Sequence, residues 1–175
     1  LSKNPATRVV LVEAGPDTPP GAVPADIADL FPSSSLNPDY FWPGLQARRK
    51  PGGPLHPFPQ ARIMGGGSSI MGMWALRGVP SDFDAWVKAG AEGWGPSDLL
   101  KHYRKLENDL DRDRGQSKPG PYTIRRVPHQ EWPGFAVAME RAAAARGLPL
   151  IADINENPGE GFFPMPVSQC ESVRS

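Results

Sequence analysis

The spacing of apolar residues predicts short helices and strands separated by long irregular connections. The sequence RVVLVEAG (residues 8–15) has four consecutive apolar residues, three of them β-branched, ahead of its glycine. Such a run is typical of a buried parallel strand, which we place at Arg8–Glu13. The residues in front of it, Leu1–Lys3, resemble the end of a helix that stops at Asn4-Pro5. The pattern therefore predicts a helix end and a buried strand at the start of the sequence.

Prolines dominate residues 16–60 and leave little room there for regular structure. A single helical turn is predicted at Ala25–Leu30. The aromatic cluster DYFWPG (residues 39–44) fits a local core beneath a loop or, less commonly, a wall against a flat ligand. Further on, the glycine-rich turn GGGSS (residues 65–69) runs into large apolar side chains. We predict a short helix between Gly65 and Trp74.

Three helices are predicted in the second half of the chain. Ser81, with Asp84 three residues later, is typical of a capped start for a helix over Asp82–Lys88. Gly95-Pro96 opens the next helix, because proline suits the first helical turn. A third helix is predicted over Trp132–Arg146. The apolar positions expected to face inward on these helices are Phe83, Trp86 and Val87, then Leu99, Tyr103 and Leu106, then Phe135, Met139, Ala142 and Ala143.

Three other segments complete the pattern. NDLDRDRGQSKPG (residues 108–120) is predicted to be a solvated charged loop, since its aspartates lack the spacing of a calcium-binding loop. PYTIRR (residues 121–126) is typical of a strand, and GEGFFPMPV (residues 159–167) is expected to be extended. Together, these elements predict an α/β fold.

Composition narrows the class of protein. The 175 residues include 22 prolines and 19 glycines, and 19 Lys and Arg balance 19 Asp and Glu. A balanced charge gives no basic stripe for nucleic acid, and no apolar run is long enough for a membrane span. Cys170 is the single cysteine, which excludes an internal disulfide framework and suits a reducing compartment. We therefore expect a cytoplasmic protein that binds neither nucleic acid nor membrane.

The glycine-rich turn does not match the familiar phosphate-binding motifs. No Lys followed by Ser or Thr continues it as in a P-loop. Ile70 stands where the G-x-G-x-x-G fingerprint would need a third glycine after Gly65 and Gly67. A flexible linker is the plain alternative. Glycines ahead of an apolar run more often let the backbone approach a ligand or another element.

Few residues are candidates for chemistry. Glu13 closes the predicted strand, where a carboxylate can accept hydrogen bonds from adenosine ribose hydroxyls; it can also merely end a strand at the surface. His56, His102 and His129 are the three histidines, and none has a partner that would make it a general base. Cys170 likewise lacks a paired base. The sequence predicts no catalytic residue and no metal site.

Taken together, these motifs resemble the glucose–methanol–choline (GMC) FAD-dependent oxidoreductases. The resemblance begins at VVLVEAG and is strongest through ARIMGGGSSIMGMWALRGVPSDFDAW (residues 61–86) and GAEGWGPSDLLKHYRKLE (residues 90–107), continuing to the final SVRS. DYFWPG and GFFP look most like the branch that oxidises aromatic primary alcohols, such as the hydroxymethylfurfural and pyridoxine oxidases. The resemblance implies an incomplete, Rossmann-like FAD-binding domain with a Pro/Gly-rich lid region and the start of a substrate domain.

The resemblance also implies where FAD would bind. Glu13 would hold the adenosine ribose, and Trp42 would line the cover of the cofactor. The glycines of the turn and Ser68 would serve the diphosphate, and the residues from Ile70 to Trp74 would lie along the isoalloxazine. The residues expected to bind the cofactor are Glu13, Ala14, Trp42, Arg62, Gly65, Gly66, Gly67, Ser68, Met71, Gly72, Met73 and Trp74.

Three departures from the family pattern matter. The G-x-G-x-x-G turn that should precede Leu1 is absent from these residues, and so is the catalytic histidine of the family's C-terminal part. Met71 stands where members usually carry Asn or His beside the flavin. Ile70 matches a position that is histidine in relatives with covalent FAD, so non-covalent FAD is expected. By this resemblance the 175 residues are a fragment that is inactive alone.

The resulting hypothesis assigns residues 1–80 to a partial FAD-binding domain with the lid and the glycine-rich signature. Residues 81–175 would form a helical segment and the start of the substrate-binding domain. In the complete enzyme a primary alcohol would pass a hydride to the flavin. Its partners would be the alcohol substrate and the missing N- and C-terminal portions of the same enzyme. The alternative is a non-catalytic protein, either a pseudoenzyme fragment or an interaction module that keeps the fold pattern.

Overall fold

The computed structural model describes residues 3–112, 119–170 and 173–174, with only the backbone of Cys170, Val173 and Arg174. The chain divides into two compact units, Leu1–Gly72 and Met73–Ser175. Each unit contains both helices and strands, so the predicted α/β character is confirmed. Leu1 and Ser2 of the predicted helix end, and residues 113–118 of the predicted charged loop, lie outside the described residues.

The described residues of the first unit form one short α-helix, three 3-10 helices and one β-hairpin. Helix α1 spans Ala25–Ala28, in agreement with the predicted helical turn. Strands β1 (Gln46–Arg48) and β2 (Leu55–Pro57) pair antiparallel, and this hairpin was not predicted because the prolines around it conceal a three-residue pairing. The short helix predicted after Gly65 is confirmed as a 3-10 helix. Three 3-10 helices cover Ser33–Leu36, Pro38–Tyr40 and Gly66–Ser69.

The core of the first unit joins α1 to the aromatic cluster and the glycine-rich turn. The Tyr40 hydroxyl lies 2.9 Å from a carboxylate oxygen of Asp26, to which it donates. Tyr40 therefore confirms the interpretation of the aromatic cluster as a local core, whereas Trp42 is exposed. Four buried side chains form this core with two partly buried neighbours: Ile27, Tyr40, Ile63 and Ile70, with Phe41 and Ala61.

The predicted buried strand at Arg8–Glu13 is wrong for this chain. These residues form no strand, and their apolar side chains are exposed, from 48% at Val9 to 86% at Val12. A run of this composition is buried only where neighbouring strands bind its backbone and other elements cover its faces. None of the described residues forms such a strand beside residues 8–13, so the apolar side chains stay exposed.

The second unit contains three helices close to their predicted positions. Helix α2 spans Pro80–Lys88, α3 spans Pro96–Leu106 and α4 spans Gly134–Ala144. Ser81 is not the N-cap of α2, because the helix already begins at Pro80 after Val79. Proline suits this first position, since its φ is near the helical value and its missing N–H would have no partner there. No helix in the described part of the chain has the length and apolar character needed to cross a membrane.

A three-stranded mixed sheet lies in the second unit, with the order β3-β4-β5. Strand β4 is parallel to β3 and antiparallel to β5. Trp74 adds an isolated antiparallel bridge to Val167. Strand β4 confirms the strand predicted at residues 121–126, and β5 falls within the segment predicted to be extended. The strands are β3 (Glu107–Asp109), β4 (Tyr122–Arg126), β5 (Pro166–Val167) and the antiparallel pair β6 (Gln169–Cys170) and β7 (Val173–Arg174).

The predicted inward faces of the helices are partly wrong. On α4, Phe135 is 78% exposed and Met139 is also exposed, whereas Ala142 and Ala143 are partly buried. The sequence GFAVAMERAAA is apolar on most sides, so its pattern does not specify which face packs. On the other two helices the prediction holds for half of the positions: Phe83, Leu99 and Tyr103 are buried or partly buried, and Trp86, Val87 and Leu106 are exposed.

The segment predicted to be a solvated charged loop begins inside the sheet instead. Asp109 belongs to β3 and is buried. Arg126 of β4 is buried beside it, with Nη1 donating to Oδ1 at 3.0 Å and Nη2 donating to Oδ2 at 3.2 Å. The carboxylate can leave water because the guanidinium supplies both the countercharge and hydrogen bonds. The prediction was wrong here because polar residues alone do not indicate a buried strand.

Candidate functional site

Glu13 and Gly15 form a tight turn against the segment that leads into the glycine-rich turn. Glu13 is partly buried, and its Oε1 accepts a hydrogen bond from the Gly15 N–H at 2.8 Å. A Cβ on residue 15 would lie 2.0 Å from the Arg62 carbonyl oxygen, so glycine is required for this approach. The Met64 N–H donates to the Pro16 carbonyl at 3.0 Å. These contacts bring the predicted adenosine-binding turn beside Arg62.

Arg62 and Trp42 lie side by side in the first unit. The Arg62 N–H donates to the Tyr40 carbonyl at 2.7 Å, and the Trp42 N–H donates to the Gln60 carbonyl at 3.0 Å. The guanidinium carbon of Arg62 is 5.8 Å from the centroid of the Trp42 ring, a cation–π contact. Arg62 Nε is buried and has no hydrogen-bond partner among the described residues. A buried N–H of this kind can be satisfied by an ordered water or by an acceptor on a ligand.

The glycine-rich turn owes its glycines to two different causes. Gly65 has a φ of +84°, and a Cβ there would lie 2.4 Å from the Ser69 hydroxyl oxygen. That hydroxyl donates to the Met64 carbonyl at 2.7 Å, and the Ser68 hydroxyl donates to the Gly65 carbonyl at 2.6 Å. Gly67 is different, because a Cβ there would meet no atom within 4 Å. The backbone conformation therefore requires Gly65, whereas the space above Gly67 is open.

The residues after the glycine-rich turn alternate between core and surface. Ile70 is buried in the core of the first unit, and Met71 is exposed. At the start of the second unit Met73 is buried and Trp74 is 62% exposed. The side chain of Ile70 is therefore packed inside its unit, while those of Met71 and Trp74 reach the surface. Of the remaining predicted cofactor residues, Ala14 is exposed and Gly72 is partly buried.

Arg77 is a buried residue that sequence reasoning missed. Its side chain is 7% exposed and makes ion pairs with Glu107 and Glu156. The guanidinium carbon also lies 5.7 Å from the centroid of the Tyr103 ring. Hydrogen bonding to Glu107 raises the pKa of Arg77, although burial opposes the shift. The available signal was an arginine within the otherwise apolar sequence GMWALRG.

Arg126 is the centre of a second buried ion-pair cluster. It contacts Asp109, Asp111 and Asp153. Burial acts to lower the pKa of Arg126, but the hydrogen bonds and charges of Asp109 and Asp153 outweigh it and raise the pKa. The described residues contain no group of three or more His, Cys, Asp or Glu arranged to hold a metal ion. Arg126 offsets part of the negative charge of these aspartates, and Arg112 adds a second positive charge beside Asp153, so the cluster fits a structural role.

His129 has a partner, contrary to the prediction for all three histidines. His129 Nε2 lies 2.7 Å from Glu140 Oε2, and its ring centroid lies 4.6 Å from that of Trp132. The prediction was wrong because α4 brings Glu140 back towards a residue 11 positions earlier. His56 lies in β2, and His102 lies on the exposed side of α3. The His129 side chain is itself 54% exposed, so this pair lies at the surface.

A cavity of about 230 Å³ opens in the second unit beside α2 and α3. Its lining includes the apolar side chains of Phe83 and Leu100 and the polar groups of Tyr103 and Asn155. None of the predicted cofactor-binding residues lines this cavity. No sequence motif predicted this cavity.

The fold and these motifs define the class of protein. Residues 39–174 match the family model of the GMC oxidoreductases, so the chain belongs to that family. The family resemblance inferred from the glycine-rich segment is confirmed, together with the flavoprotein oxidoreductase class that it implies.

Particular relatives are similar along nearly the whole chain. The 5-(hydroxymethyl)furfural oxidase of Methylovorus sp. (strain MP688) is 40% identical over 174 residues, covering 94% of this chain and 33% of that protein. The oxygen-dependent choline dehydrogenase of Brucella suis biovar 1 is 33% identical over 169 residues, covering 94% of this chain and 30% of that protein.

Two solved structures show the same fold. Pyridoxine 4-oxidase from Mesorbium loti has a TM-score of 0.83 at 32% identity, covering 99% of this chain and 34% of that one. An FAD-dependent oxidoreductase from Chaetomium thermophilum has a TM-score of 0.81 at 26% identity, covering 100% of this chain and 32% of that one. The chain thus spans about a third of the length of its relatives.

Proposed function

We propose that this chain supplies FAD-binding residues to an alcohol oxidoreductase in which a primary alcohol passes a hydride to the flavin. The observation that carries the proposal is the meeting of the Glu13 turn, Trp42 and Arg62 within the first unit. The similarity to a 5-(hydroxymethyl)furfural oxidase supports the substrate class, because a hydroxymethyl group on an aromatic ring is a primary alcohol.

The residues of the first unit fit an adenine dinucleotide in their chemistry. Glu13 uses one carboxylate oxygen for the Gly15 N–H, and its other oxygen has no hydrogen-bond partner among the described residues. Ribose hydroxyls are suitable donors to such a carboxylate. The buried Nε of Arg62 is a donor without an acceptor, which suits an anionic or carbonyl-bearing ligand. The open space above Gly67 lets a ligand approach the backbone.

Bound FAD would supply the hydride acceptor, and the residues of this chain would bind and orient it. Glu13 and Ala14 would contact the adenosine, and Trp42 and Arg62 would flank the cofactor. The glycine-rich turn and Ser68 would face the diphosphate, with the Gly66 N–H and the Ser68 hydroxyl already donating to the carbonyls of Ile63 and Gly65. The residues proposed to lie beside the flavin are Met71, Gly72, Met73 and Trp74.

The proton of the alcohol would go to a base outside these residues. His129 is already paired with Glu140, and His102 lies on the exposed side of α3. The proposal therefore includes further portions of the same protein as partners. It retains the division into a partial FAD-binding domain over residues 1–80 and the start of a substrate-binding domain over residues 81–175, in a cytoplasmic enzyme.

FAD is proposed to bind without a covalent bond. Ile70, which matches the histidine position of covalent relatives, is buried and carries no nucleophilic atom. Met71 offers a polarizable thioether rather than a nucleophile at the surface of its unit. The two residues therefore favour a cofactor held only by packing, hydrogen bonds and charge.

The test is FAD titration of the full-length apoprotein that contains this chain. Glu13→Ala removes a charge-assisted hydrogen bond, so we expect FAD affinity to fall by about ten- to a hundredfold. Glu92→Ala, at an exposed position in the second unit, is the matched control and should leave the affinity unchanged. Acid precipitation of the holoprotein should release all of the flavin into the supernatant. Equal affinities for Glu13→Ala and the parent would refute the assignment of Glu13.

A further inference from the structure

The second unit begins with a residue in a strained conformation. Met73 has a φ of +61°, and it is the one described residue other than glycine with a positive φ. A long side chain rarely adopts this left-handed region, because its Cβ crowds the backbone. Met73 is also buried, at 6% exposure, so the packing around it helps to hold this conformation. Such a conformation persists only where surrounding contacts enforce it, and it is often found at functional sites.

Strand β5 and the residue after it supply part of that enforcement. The Ser168 N–H donates to the Met73 carbonyl at 2.7 Å, and the Ala75 N–H donates to the Pro166 carbonyl at 2.9 Å. Between them, Trp74 bridges to Val167. These bonds fix the backbone directly at Met73 and two residues beyond it.

The side chain of Asn155 continues the same pattern of bonds. Its Nδ2 donates to the Ala75 carbonyl at 2.9 Å, and its Oδ1 accepts from the Arg77 N–H at 2.9 Å. One amide thus binds residues 75 and 77 as a neighbouring strand would. Asn155 is itself anchored, because its N–H donates to Asp153 Oδ1 at 2.9 Å and that carboxylate is bound by Arg126.

We propose that Asn155 is a positioning residue for the cofactor and acts through Met73. By holding residues 75 and 77, it prevents the segment from relaxing to a negative φ at Met73. The enforced conformation sets the directions of the buried Met73 and the exposed Trp74. This inference rests on the proposed function, in which both residues lie beside the flavin.

The test is a double-mutant cycle in the full-length protein. Asn155→Ala removes both side-chain hydrogen bonds, and Met73→Gly removes the strain because glycine adopts a positive φ freely. Met73→Ala is the matched control, since it removes the same thioether but keeps the unfavourable backbone conformation. Asn157→Ala, at an exposed position of the same turn, controls for the loss of an asparagine side chain.

We expect Asn155→Ala to weaken FAD binding about tenfold in the parent and in Met73→Ala, but by less than about threefold in Met73→Gly. Asn155→Ala should also lower the urea midpoint for unfolding of the apoprotein, and the decrease should be smaller in the Met73→Gly background than in the parent or Met73→Ala. Asn155→Ala should also shift the visible absorption band of bound flavin, which a loss of stability alone would not move. Asn157→Ala should change none of these quantities.

Equal losses in all three backgrounds would overturn the proposal, because Asn155 would then not act through Met73. An unshifted flavin band in Asn155→Ala would also overturn it, since the amide would then be purely structural. If the parent binds no FAD, the proposed function fails, whereas the urea cycle still decides whether Asn155 restrains Met73.

Discussion

Residues 9–12 of the first unit and strands β3 and β4 of the second unit show opposite relations between polarity and burial. The first region is apolar and exposed, whereas Glu107, Asp109 and Arg126 are charged and buried. The usual preference is the reverse. In these two regions a side chain is buried where the structure provides it with a partner, whatever its polarity. Glu107 and Asp109 form ion pairs with arginines of their own unit. Residues 9–12 have no neighbouring strand among the described residues.

The two regions should therefore respond differently to substitution. Removing one member of a buried ion pair leaves an uncompensated charge in a place without water. Changing an exposed apolar side chain removes little that is specific to the folded state. The contrast can be tested by the free energy of unfolding of the 175-residue chain, measured with urea.

The largest expected effect is that of Arg126→Ala. Its loss leaves the buried Asp109 without its bidentate partner and frees Asp111 and Asp153 from the same guanidinium. We expect the free energy of unfolding to fall by about 3–5 kcal/mol. Arg104→Ala, at an exposed position of α3, is the matched control and should change it by less than about 0.5 kcal/mol. A loss below about 1 kcal/mol for Arg126→Ala would contradict the account of this cluster.

A smaller and pH-dependent effect is expected at Glu156. Burial acts to raise the pKa of this carboxyl, but hydrogen bonds from Arg112 and Arg77 lower it below its ordinary value of 4.5. Because the folded pKa is the lower one, the stabilisation is complete above pH 4.5 and is lost as the pH falls through the folded pKa. Glu156→Gln should cost about 0.5–1 kcal/mol at pH 7, since the side chain is partly exposed.

The check on Glu156 is a series of urea titrations from neutral to acid pH. The difference between the parent and Glu156→Gln should shrink and disappear once the carboxyl is protonated. A difference that stays constant across this range would show that the ion pairs of Glu156 do not contribute to stability.

The smallest effect on the free energy of unfolding is expected for a substitution at Val12, a representative of the exposed apolar residues 9–12. Val12→Thr should change the free energy of unfolding by less than about 0.5 kcal/mol, because the side chain has no packing to lose. Ile124→Thr provides the comparison, since Ile124 is fully buried in β4 and a hydroxyl there should cost about 1–3 kcal/mol. Similar losses at the two positions would break the contrast between the regions.

The sequence predicted those parts of the fold that depend on local signals. Pro96 and the spacing of Leu99 and Tyr103 correctly indicated α3, and the residues of β4 indicated a strand. The pattern failed where burial depends on distant partners. The charge of Asp109 predicts exposure, but its ion pair with Arg126 allows it to be buried. The apolar side chain of Val12 predicts burial, but the described residues provide no strand beside it and it is exposed.

The candidate site was predictable in its residue types but not in its contacts. The approach of Gly15 to Arg62 and the buried Nε of Arg62 depend on residues far apart in the sequence. Arg77 and Asn155 were missed for the same reason, because a charge or an amide shows its role only when its acceptors and donors are known. The motifs identified the family, whereas the contacts within the candidate site became known only from the structure.

The amide of Asn155 also has a consequence for the order of folding. It meets residues 77 and 75 across sequence separations of 78 and 80, and Ser168 meets Met73 across an even longer interval. Closing such loops costs chain entropy before the contacts compensate, and distant contacts slow folding. During synthesis from the N-terminus, helices α2 and α3 can form while these partners are still being made. The backbone at Met73 is therefore fixed late, after residues 166–168 have been synthesised.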